Sequence, residues 1–385
     1  MGLGYQYLFG GLQPDITEEL GLRRGAYAAA GQARNYVIAL TGPLVGFLLV
    51  RLGARPVFAV SITILSAGAM LLSYADRWSE LLGATLVLGV GISGVGDITV
   101  SHAISGWFDR ARGTALGFVY TASNFGGMLL VPLVASFAAD DSWREALRMT
   151  ALVTLLLLLP AAFIRPPPAA SEKPADVVTP EQEHRDMDLS AAMRTRSFWI
   201  LAFVHFTYFA YAVAITEHFI SHLLDSGIPR EVAVARWSTA IGLGIVSKLS
   251  FGYLGDRMAP RHAMTLLLGL IALSSLVLLL DPSEFFLWVF VVLFGFSYAA
   301  RDVVTPLAII DCFGLRYMAG IYGAIFPTLM IGGVAGAILS GLCFDWLGTY
   351  RPAFAALAVL NLAAVALTPL LRVERNRLDE SPTPG

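Results

Sequence analysis

Lys248 is the residue whose type and position most clearly suggest chemistry. The chain has only two lysines, and Lys248 lies in an apolar stretch whereas Lys173 lies in a polar one. If the apolar stretch spans a membrane, burying a charged side chain there costs about 2.5–3.5 kcal/mol, so the charge calls for a reason. Two roles fit the residue type: Lys248 binds the negative charge of a substrate, or it forms a structural ion pair with a neighbouring helix.

Arg301 and Asp302 are further charged residues inside an apolar stretch. Ser297, Arg301 and Thr305 recur at every fourth position, so they form one polar stripe if this stretch is a helix. Arg301 is expected to be either a second contact for an anion or the partner of an acid elsewhere in the chain, such as Asp97.

Four residues are candidates for taking up a proton during a functional cycle. Asp97 has a serine one turn away on either side, and burial makes a carboxylate easier to protonate; pairing with an arginine is its alternative role. Glu217 and His218 lie toward the end of another apolar stretch, where they either titrate or are simply hydrated. Asp302 is the fourth candidate.

Uncharged polar side chains could complete a binding site. Tyr120 and Asn124 lie one helical turn apart and are expected to supply hydrogen bonds. Ser297 and Tyr211 are expected to face the same cavity, with core packing as the alternative role for the tyrosine.

The composition is that of a chain solvated mostly by lipid. Hydrophobic residues make up 56% and charged residues 14% of the 385 positions, against roughly a quarter charged in ordinary globular proteins. The net charge of −2 gives no indication of a nucleic-acid partner. The sequence has no phosphate-binding glycine-lysine loop, no cluster of metal ligands and no soluble domain to house an active site. We therefore expect no enzymatic activity, no cofactor and no metal.

Eleven stretches are long and apolar enough to cross a membrane as helices, which takes about 20 residues each. Residues 1–13 are apolar but too short, so the sequence indicates a first helix that is incomplete in this chain or, alternatively, a short re-entrant segment. The eleven predicted spans are 25–50, 56–75, 79–105, 113–138, 145–164, 197–222, 231–254, 262–281, 284–309, 318–343 and 351–371.

A polar segment divides the chain into two halves. Residues 165–196 are rich in Pro, Glu, Asp and Arg and cannot bury enough apolar surface to fold, so we expect a partly disordered linker. The linker separates an N-terminal six-helix bundle at 1–164 from a C-terminal one at 197–371, and 372–385 form a short tail. Arg and Lys are more frequent in the loops on the linker's side, so the positive-inside rule places the linker and both termini in the cytoplasm.

Two related loops occupy corresponding places in the two halves. The second reads Gly252-Tyr-Leu-Gly-Asp256-Arg257-x-x-x-Arg261, and the first reads Gly46-Phe-Leu-Leu-Val50-Arg51-Leu-Gly-Ala-Arg55. They indicate an internal duplication, which is how many transporters are built. Gly113 and Gly117 also form a pair of small residues at the spacing that lets helix backbones touch.

The second loop resembles the signature of the major facilitator superfamily of secondary transporters. Three further stretches resemble its monocarboxylate-transporter branch, with the bacterial oxalate/formate antiporters: Trp107-Phe-Asp-Arg-Ala-Arg112-Gly113-Thr-Ala-Leu-Gly117, His218-x-x-x-His-Leu-Leu-Asp225-x-Gly227, and Gly320-Ile-Tyr-Gly323 followed by Phe344-Asp345-Trp-Leu-Gly348-Thr-Tyr350. The resemblance implies an all-α polytopic membrane protein with the 12-helix (6+6) major facilitator fold, helix 1 being incomplete.

The resemblance also implies roles for individual residues. In that family the position four residues before Gly252 carries an arginine that binds the substrate carboxylate, and here it is Lys248. The oxalate exchangers place a second cation in helix 11, whereas residues 318–341 contain neither Lys nor Arg, so a dicarboxylate clamp of that kind is not expected. The first loop has Val50 where the superfamily usually has Asp. The residues expected to act in gating are Gly46, Arg51, Arg55, Arg112, Gly252, Asp256, Arg257 and Arg261.

These observations predict a secondary active transporter for a small organic anion, with a monocarboxylate as the first expectation. It would work by alternating access and be driven by a proton or by exchange. The alternatives are an efflux transporter of the same fold, which would favour an acidic, aromatic cavity, and a transporter-like receptor, which would normally carry a sizeable cytoplasmic module. We expect a monomer that spans the plasma (inner) membrane many times, with the anion and the lipid bilayer as its partners.

Overall fold

Every regular element in the part of the chain that the structure describes is a helix. The computed structural model describes residues 12–22, 24–108, 111–122, 142–165, 186–280 and 283–374. In chain order the helices are α1 Gln13–Glu19, α2 Arg24–Leu52, α3 Ala54–Ser73, α4 Trp78–Val95, α5 Asp97–Trp107, α6 112–122, α7 Trp143–Leu156, α8 Leu158–Ala162, α9 Leu189–Met193, α10 Arg196–Asp225, α11 Arg230–Gly255, α12 Pro260–Val277, α13 Glu284–Tyr298, α14 Arg301–Phe313, α15 Met318–Leu347 and α16 Arg351–Leu367.

The described helices agree with most of the predicted spans. Among the described residues, eight helical segments are long and apolar enough to cross a membrane, and there are nine if the bent pair α13 and α14 is one span. These nine coincide with nine of the eleven stretches identified in the sequence. Of the other two, 113–138 lies mostly outside the described residues. The second, 231–254, is a continuous helix, α11, which is not among the nine and carries Arg236 and Lys248.

The predicted helix 284–309 is bent. Helix α13 ends at Tyr298 and α14 begins at Arg301, and their axes differ by 45°. Pro306, inside α14, has no backbone N–H to donate to the carbonyl of Asp302, so the first turn of α14 is weakened. The bend places Arg301 and Asp302 in that first turn, where the helix dipole favours the negative charge of the aspartate.

Packing divides the chain into two units, and the first comprises residues 1–107, 121–174 and 322–324. Its core lies where α3 packs against α4 and α7. A Cβ atom added at Gly91 would lie 2.7 Å from the backbone nitrogen of Leu65, so the backbones of α3 and α4 are in contact there. The hydroxyl of Ser66 donates to the carbonyl of Ala151 at 2.8 Å, which joins α3 to α7.

The second unit comprises residues 108–120, 175–321 and 325–385. Helix α11 packs against α13 and α14, and α12 packs against α13, α14 and α16. A column of aromatic rings fills the space between α10 and α13, with centroid distances of 4.6 Å for Phe219 and Phe290, 5.4 Å for Phe290 and Phe294, and 5.2 Å for Phe294 and Tyr298. This packing holds α10 against α13.

Candidate substrate-binding site

Three charged side chains meet at the bend in the second unit. Lys248 of α11 is 2% exposed, and its Nζ lies 3.0 Å from Oδ2 of Asp302. The other oxygen of that carboxylate, Oδ1, accepts a hydrogen bond from Nη2 of Arg301 at 2.5 Å. Asp302 therefore bridges two cations. The sequence singled out all three residues, and the structure brings them together.

Helix α6 approaches this cluster closely because glycines lie where α6 contacts α11. A Cβ at Gly117 would lie 2.5 Å from the carbonyl oxygen of Lys248, and a Cβ at Gly252 would lie 2.6 Å from that of Gly113. Larger residues would push the two backbones apart. As a result the backbone carbonyl of Tyr120 accepts a hydrogen bond from Nζ of Lys248 at 3.2 Å. The centre of the Tyr120 ring lies 5.9 Å from the same nitrogen.

Aromatic and polar side chains of α10 and α14 surround the arginine. The guanidinium of Arg301 lies 4.9 Å from the centre of the Phe209 ring. His205 is buried, and its two ring nitrogens lie 2.6 Å from the carbonyl oxygen of Leu201 and 2.8 Å from the hydroxyl of Thr305. The Tyr208 hydroxyl donates to the carbonyl of Tyr298 at the bend. Hydrogen bonds thus hold both sides of the bend in place.

The cavity beside these residues is very small. It measures about 10 Å³ and is lined by residues that include His205, Tyr208, Arg301 and Thr305. That volume is about what a single water molecule needs. Arg301 lines this cavity, whereas Lys248 does not.

A second carboxylate caps the start of α6. Oδ1 of Asp256 accepts a hydrogen bond from the backbone nitrogen of Gly113 at 2.6 Å, and Oδ2 accepts from the backbone nitrogen and the hydroxyl of Thr114 at 2.8 and 2.6 Å. A carboxylate at this position satisfies free N–H groups and interacts favourably with the helix dipole. Asp256 thus joins the end of α11 to the start of α6.

The family model described as Major Facilitator Superfamily matches residues 1–280 and 230–385. The chain belongs to this superfamily. It is 28% identical over 341 residues to the uncharacterized MFS-type transporter YcxA of Bacillus subtilis (strain 168), a match covering 85% of this chain and 81% of that protein. It is 27% identical over 339 residues to monocarboxylate transporter 13 of Rattus norvegicus, covering 83% and 74%.

Solved structures show the same fold. The fucose:proton symporter FucP of E. coli matches with a TM-score of 0.73 at 14% identity, covering 96% of this chain and 97% of that one. The family match and this similarity confirm the predicted fold class, an all-α, polytopic membrane protein of the major facilitator type. The chain thus belongs to a superfamily of transporters.

Two of the other predicted binding residues form hydrogen bonds outside the charged cluster, and a third lies outside the described residues. The hydroxyl of Ser297 donates to carbonyls of its own helix, those of Leu293 at 2.7 Å and Phe294 at 3.1 Å. The hydroxyl of Tyr211 lies 2.9 Å from that of Ser274 and is fully buried between α10 and α12. Asn124 lies outside the described residues.

The remaining proton-coupling candidates occupy different environments. Asp97 is half-buried in the first turn of α5 in the first unit. In the second unit Glu217 is exposed, while His218 is half-buried with Nε2 3.0 Å from the carbonyl oxygen of Ala337. Asp302 is held between two cations.

The predicted gating residues are spread over both units. In the second unit Nε of Arg112 donates to the carbonyl of Phe108, and the guanidinium of Arg257 lies 4.0 Å from the centre of the Tyr253 ring. In the first unit Arg51 lies 4.3 Å from the centre of the Phe47 ring. Gly46 is buried in α2, and Gly252 lies at the contact with α6. Arg55 is exposed in α3, and Arg261 is half-buried at the start of α12.

Sequence reasoning missed some parts of the site. The carbonyl of Tyr120 contributes to it, whereas the sequence suggested the side chain. His205 and Thr305 pair across α10 and α14, which periodicity within one helix does not reveal. The signal for the first was present in the Gly113 and Gly117 pair, since closely packed helices expose backbone carbonyls to side chains of the neighbour.

Proposed function

We propose that this superfamily member is a secondary active transporter for a small organic anion, and that the anion is a monocarboxylate. The observation that carries the proposal is Lys248, a 2% exposed ammonium group on an otherwise apolar part of α11. Its position four residues before Gly252 matches the carboxylate-binding arginine of the resembling branch. The similarity to a protein named monocarboxylate transporter 13 supports the same substrate class.

The chemistry of binding follows from the burial of Lys248. A carboxylate that reaches Nζ makes a charge-assisted hydrogen bond for which little water competes. Without substrate the ammonium is not isolated, because Asp302 and the Tyr120 carbonyl satisfy it. An arriving anion must therefore share Lys248 with Asp302 or displace it. This exchange of partners links substrate entry to a rearrangement around the bend between α13 and α14.

Energy coupling is proposed to be by proton or by exchange. A carboxylate with each oxygen on a different cation holds its negative charge firmly, so Asp302 is the weaker candidate for a proton carrier. Asp97, Glu217 and His218 are the other candidates. If the proton gradient drives uptake, one of these three takes part; if exchange drives uptake, none of them needs to.

Gating is proposed to involve the Asp256 cap. Its three hydrogen bonds to Gly113 and Thr114 must break before the start of α6 can leave the end of α11. In the orientation inferred from the loop charges, this contact lies at the cytoplasmic side of the plasma (inner) membrane, where both termini also lie. Alternating access then includes the opening and closing of this contact.

The test is transport by purified protein in proteoliposomes. Uptake of radiolabelled lactate, pyruvate and formate is measured with and without a pH gradient, for the wild type, Lys248→Gln and Lys248→Arg. We expect Lys248→Gln to abolish uptake while the protein remains inserted and monodisperse, and Lys248→Arg to retain part of the activity. Proton coupling makes uptake depend on the gradient, whereas exchange makes it depend on anion inside the vesicles.

Arg236→Gln is the matched control. Arg236 is a cation of the same helix whose guanidinium pairs with Glu284 at 3.1 Å and lies 4.1 Å from the Trp288 ring centre, away from the cluster. This variant should transport at close to the wild-type rate. Wild-type transport by Lys248→Gln would show that the anion is held elsewhere, with Arg301 as the next residue to test.

A further inference from the structure

The position of Asp302 bears on which anions the site accepts. Its carboxylate is 16% exposed, with one oxygen 3.0 Å from Nζ of Lys248 and the other 2.5 Å from Nη2 of Arg301. Any anion that contacts Lys248 therefore binds within a few ångströms of an existing negative charge. Two like charges at that separation repel each other strongly outside bulk water.

Little water is available to screen this repulsion. The side chains of Lys248, Arg301 and Asp302 are only 2%, 12% and 16% exposed, and the ring of Phe209 lies against the guanidinium of Arg301. A monoanion brings one carboxylate, which Lys248 can compensate. A dianion brings a second charge, which the carboxylate of Asp302 repels.

We propose that Asp302 is a specificity-determining residue that limits the negative charge of the substrate. The inference rests on the proposed function, in which Lys248 contacts the anion, and it adds the reason why one charge is accepted and two are not. The prediction compares the wild type with a variant in which Asp302 is neutral. Neutralising Asp302 raises the charge around Lys248 by one unit, whatever other groups contact the cluster. The preferred substrate should then become more negative by one unit.

The experiment compares pyruvate, a monoanion, with malonate, a dianion of similar size. Each is used unlabelled to inhibit uptake of radiolabelled pyruvate into proteoliposomes at pH 7.5, and the ratio of the two inhibition constants defines the preference. Asp302→Asn keeps the shape of the side chain and removes its charge. We expect the preference for pyruvate over malonate to fall by about tenfold or more.

Two single variants separate charge from structure. Asp302→Glu keeps the negative charge and should retain the wild-type preference within about threefold. Asp345→Asn removes the same charge from an exposed position of α15 and should leave the preference unchanged. A shift of equal size in Asp345→Asn would mean that overall protein charge is the cause, which overturns the proposal.

A double variant tests the effect of charge separately from the loss of the Asp302 carboxylate. Arg301→Gln/Asp302→Asn removes one positive and one negative group together, so the charge around Lys248 stays as in the wild type. Its preference should lie within about threefold of the wild-type value, and a tenfold shift in it would overturn charge as the cause.

The outcomes distinguish this inference from the proposed function. If the wild type transports pyruvate but Asp302→Asn keeps the wild-type preference, Asp302 is only structural and the proposed function stands. If the wild type takes up neither anion and neither one raises its unfolding temperature, the proposed function fails and the inference fails with it. A weakened preference in Asp302→Asn alone, with Asp302→Glu, Asp345→Asn and the double variant unchanged, supports the inference.

Discussion

Two clusters of charged residues, one in each unit, use the same kinds of side chain in opposite ways. In the first unit Arg144 of α7 lies 3.0 Å from Glu19 and 2.9 Å from Asp76, and it also donates to the carbonyls of Ser73 and Ala75 at 3.2 and 2.9 Å. The two acids are 48% and 77% exposed. Arg144 thus ties α7 to the end of α1, to the end of α3 and to the loop after α3, in contact with solvent.

In the second unit the numbers of cations and acids are reversed, and the side chains are largely buried. Asp302 serves two cations, and the side chains involved are 2–16% exposed. Exposed ion pairs contribute little because water competes with them. A buried pair leaves a stranded charge when one partner is removed, which is costly. The first cluster therefore holds helix ends together at little cost if a partner is lost, whereas the second is costly to break.

The largest expected effect comes from removing the shared acid. Asp302→Ala leaves Lys248 and Arg301 without their common carboxylate and should reduce the free energy of unfolding by about 3–5 kcal/mol. Asp76→Ala, in the exposed cluster, should cost less than about 1 kcal/mol. Thermal unfolding of both variants in the same detergent measures the difference. Equal losses would show that burial does not separate the two clusters.

The next effect tests whether backbone contact positions the buried cluster. In Gly252→Ala the new methyl group would lie 2.6 Å from the carbonyl oxygen of Gly113, so α6 and α11 must separate. We expect a loss of about 1–3 kcal/mol in unfolding free energy, together with reduced transport. Gly242→Ala is the matched control on the same helix, since no atom lies within 4 Å of its added Cβ. That variant should be neutral or slightly stabilised.

The difference between the clusters also explains what the sequence could predict. Apolar runs located nine of the described spans, because span length is set by membrane thickness and depends on no other part of the chain. Lys248, Arg301 and Asp302 stood out for the same reason, since a charge inside an apolar run is visible in one dimension. The Gly113 and Gly117 pair likewise indicated a helix contact before its partner was known.

Partners in space were not predictable in this way. The bend between Tyr298 and Arg301 turns one predicted helix into two. The sequence indicated an ion pair as one role of Lys248 but did not identify Asp302 as its partner, because pairing depends on how α11 and α14 cross. The Arg144 cluster was missed altogether, since exposed charges near helix ends are common and carry no distinctive pattern.

A smaller effect is expected from the exposed cluster itself. Arg144→Gln removes two ion pairs and two hydrogen bonds to carbonyls, and it should lower the free energy of unfolding by about 1 kcal/mol without changing transport. Raising the salt concentration should shrink the difference from the wild type. Arg148→Gln, one turn further along α7 with a single pair to Glu145 at 3.0 Å, should be nearly neutral. Loss of transport in Arg144→Gln would mean that this cluster does more than tie helices.

The smallest effect concerns Tyr350, which lies between α15 and α16 in the second unit, against the rings of His218, Phe344 and Phe354. Burial raises the pKa of its phenol above 10, and the nearby charges of Asp225 and Asp345 raise it further. These acids act on a neighbour partly through water, unlike Asp302. The tyrosinate absorbance that Tyr350→Phe removes should therefore emerge above pH 10, and Asp225→Asn should move it to lower pH.

The sign of the effect on stability follows from the direction of this pKa shift. Because the folded state holds the Tyr350 proton more tightly than the unfolded state, its contribution is fully present below pH 10 and is lost as pH rises through the raised pKa. The wild type should lose stability relative to Tyr350→Phe only in that alkaline range. Asp225→Asn should change the substrate preference less than Asp302→Asn does, because solvent screens the charge of Asp225. If the phenol instead titrates below pH 10, or Asp225→Asn leaves its titration unchanged, exposed acids do not influence this ring.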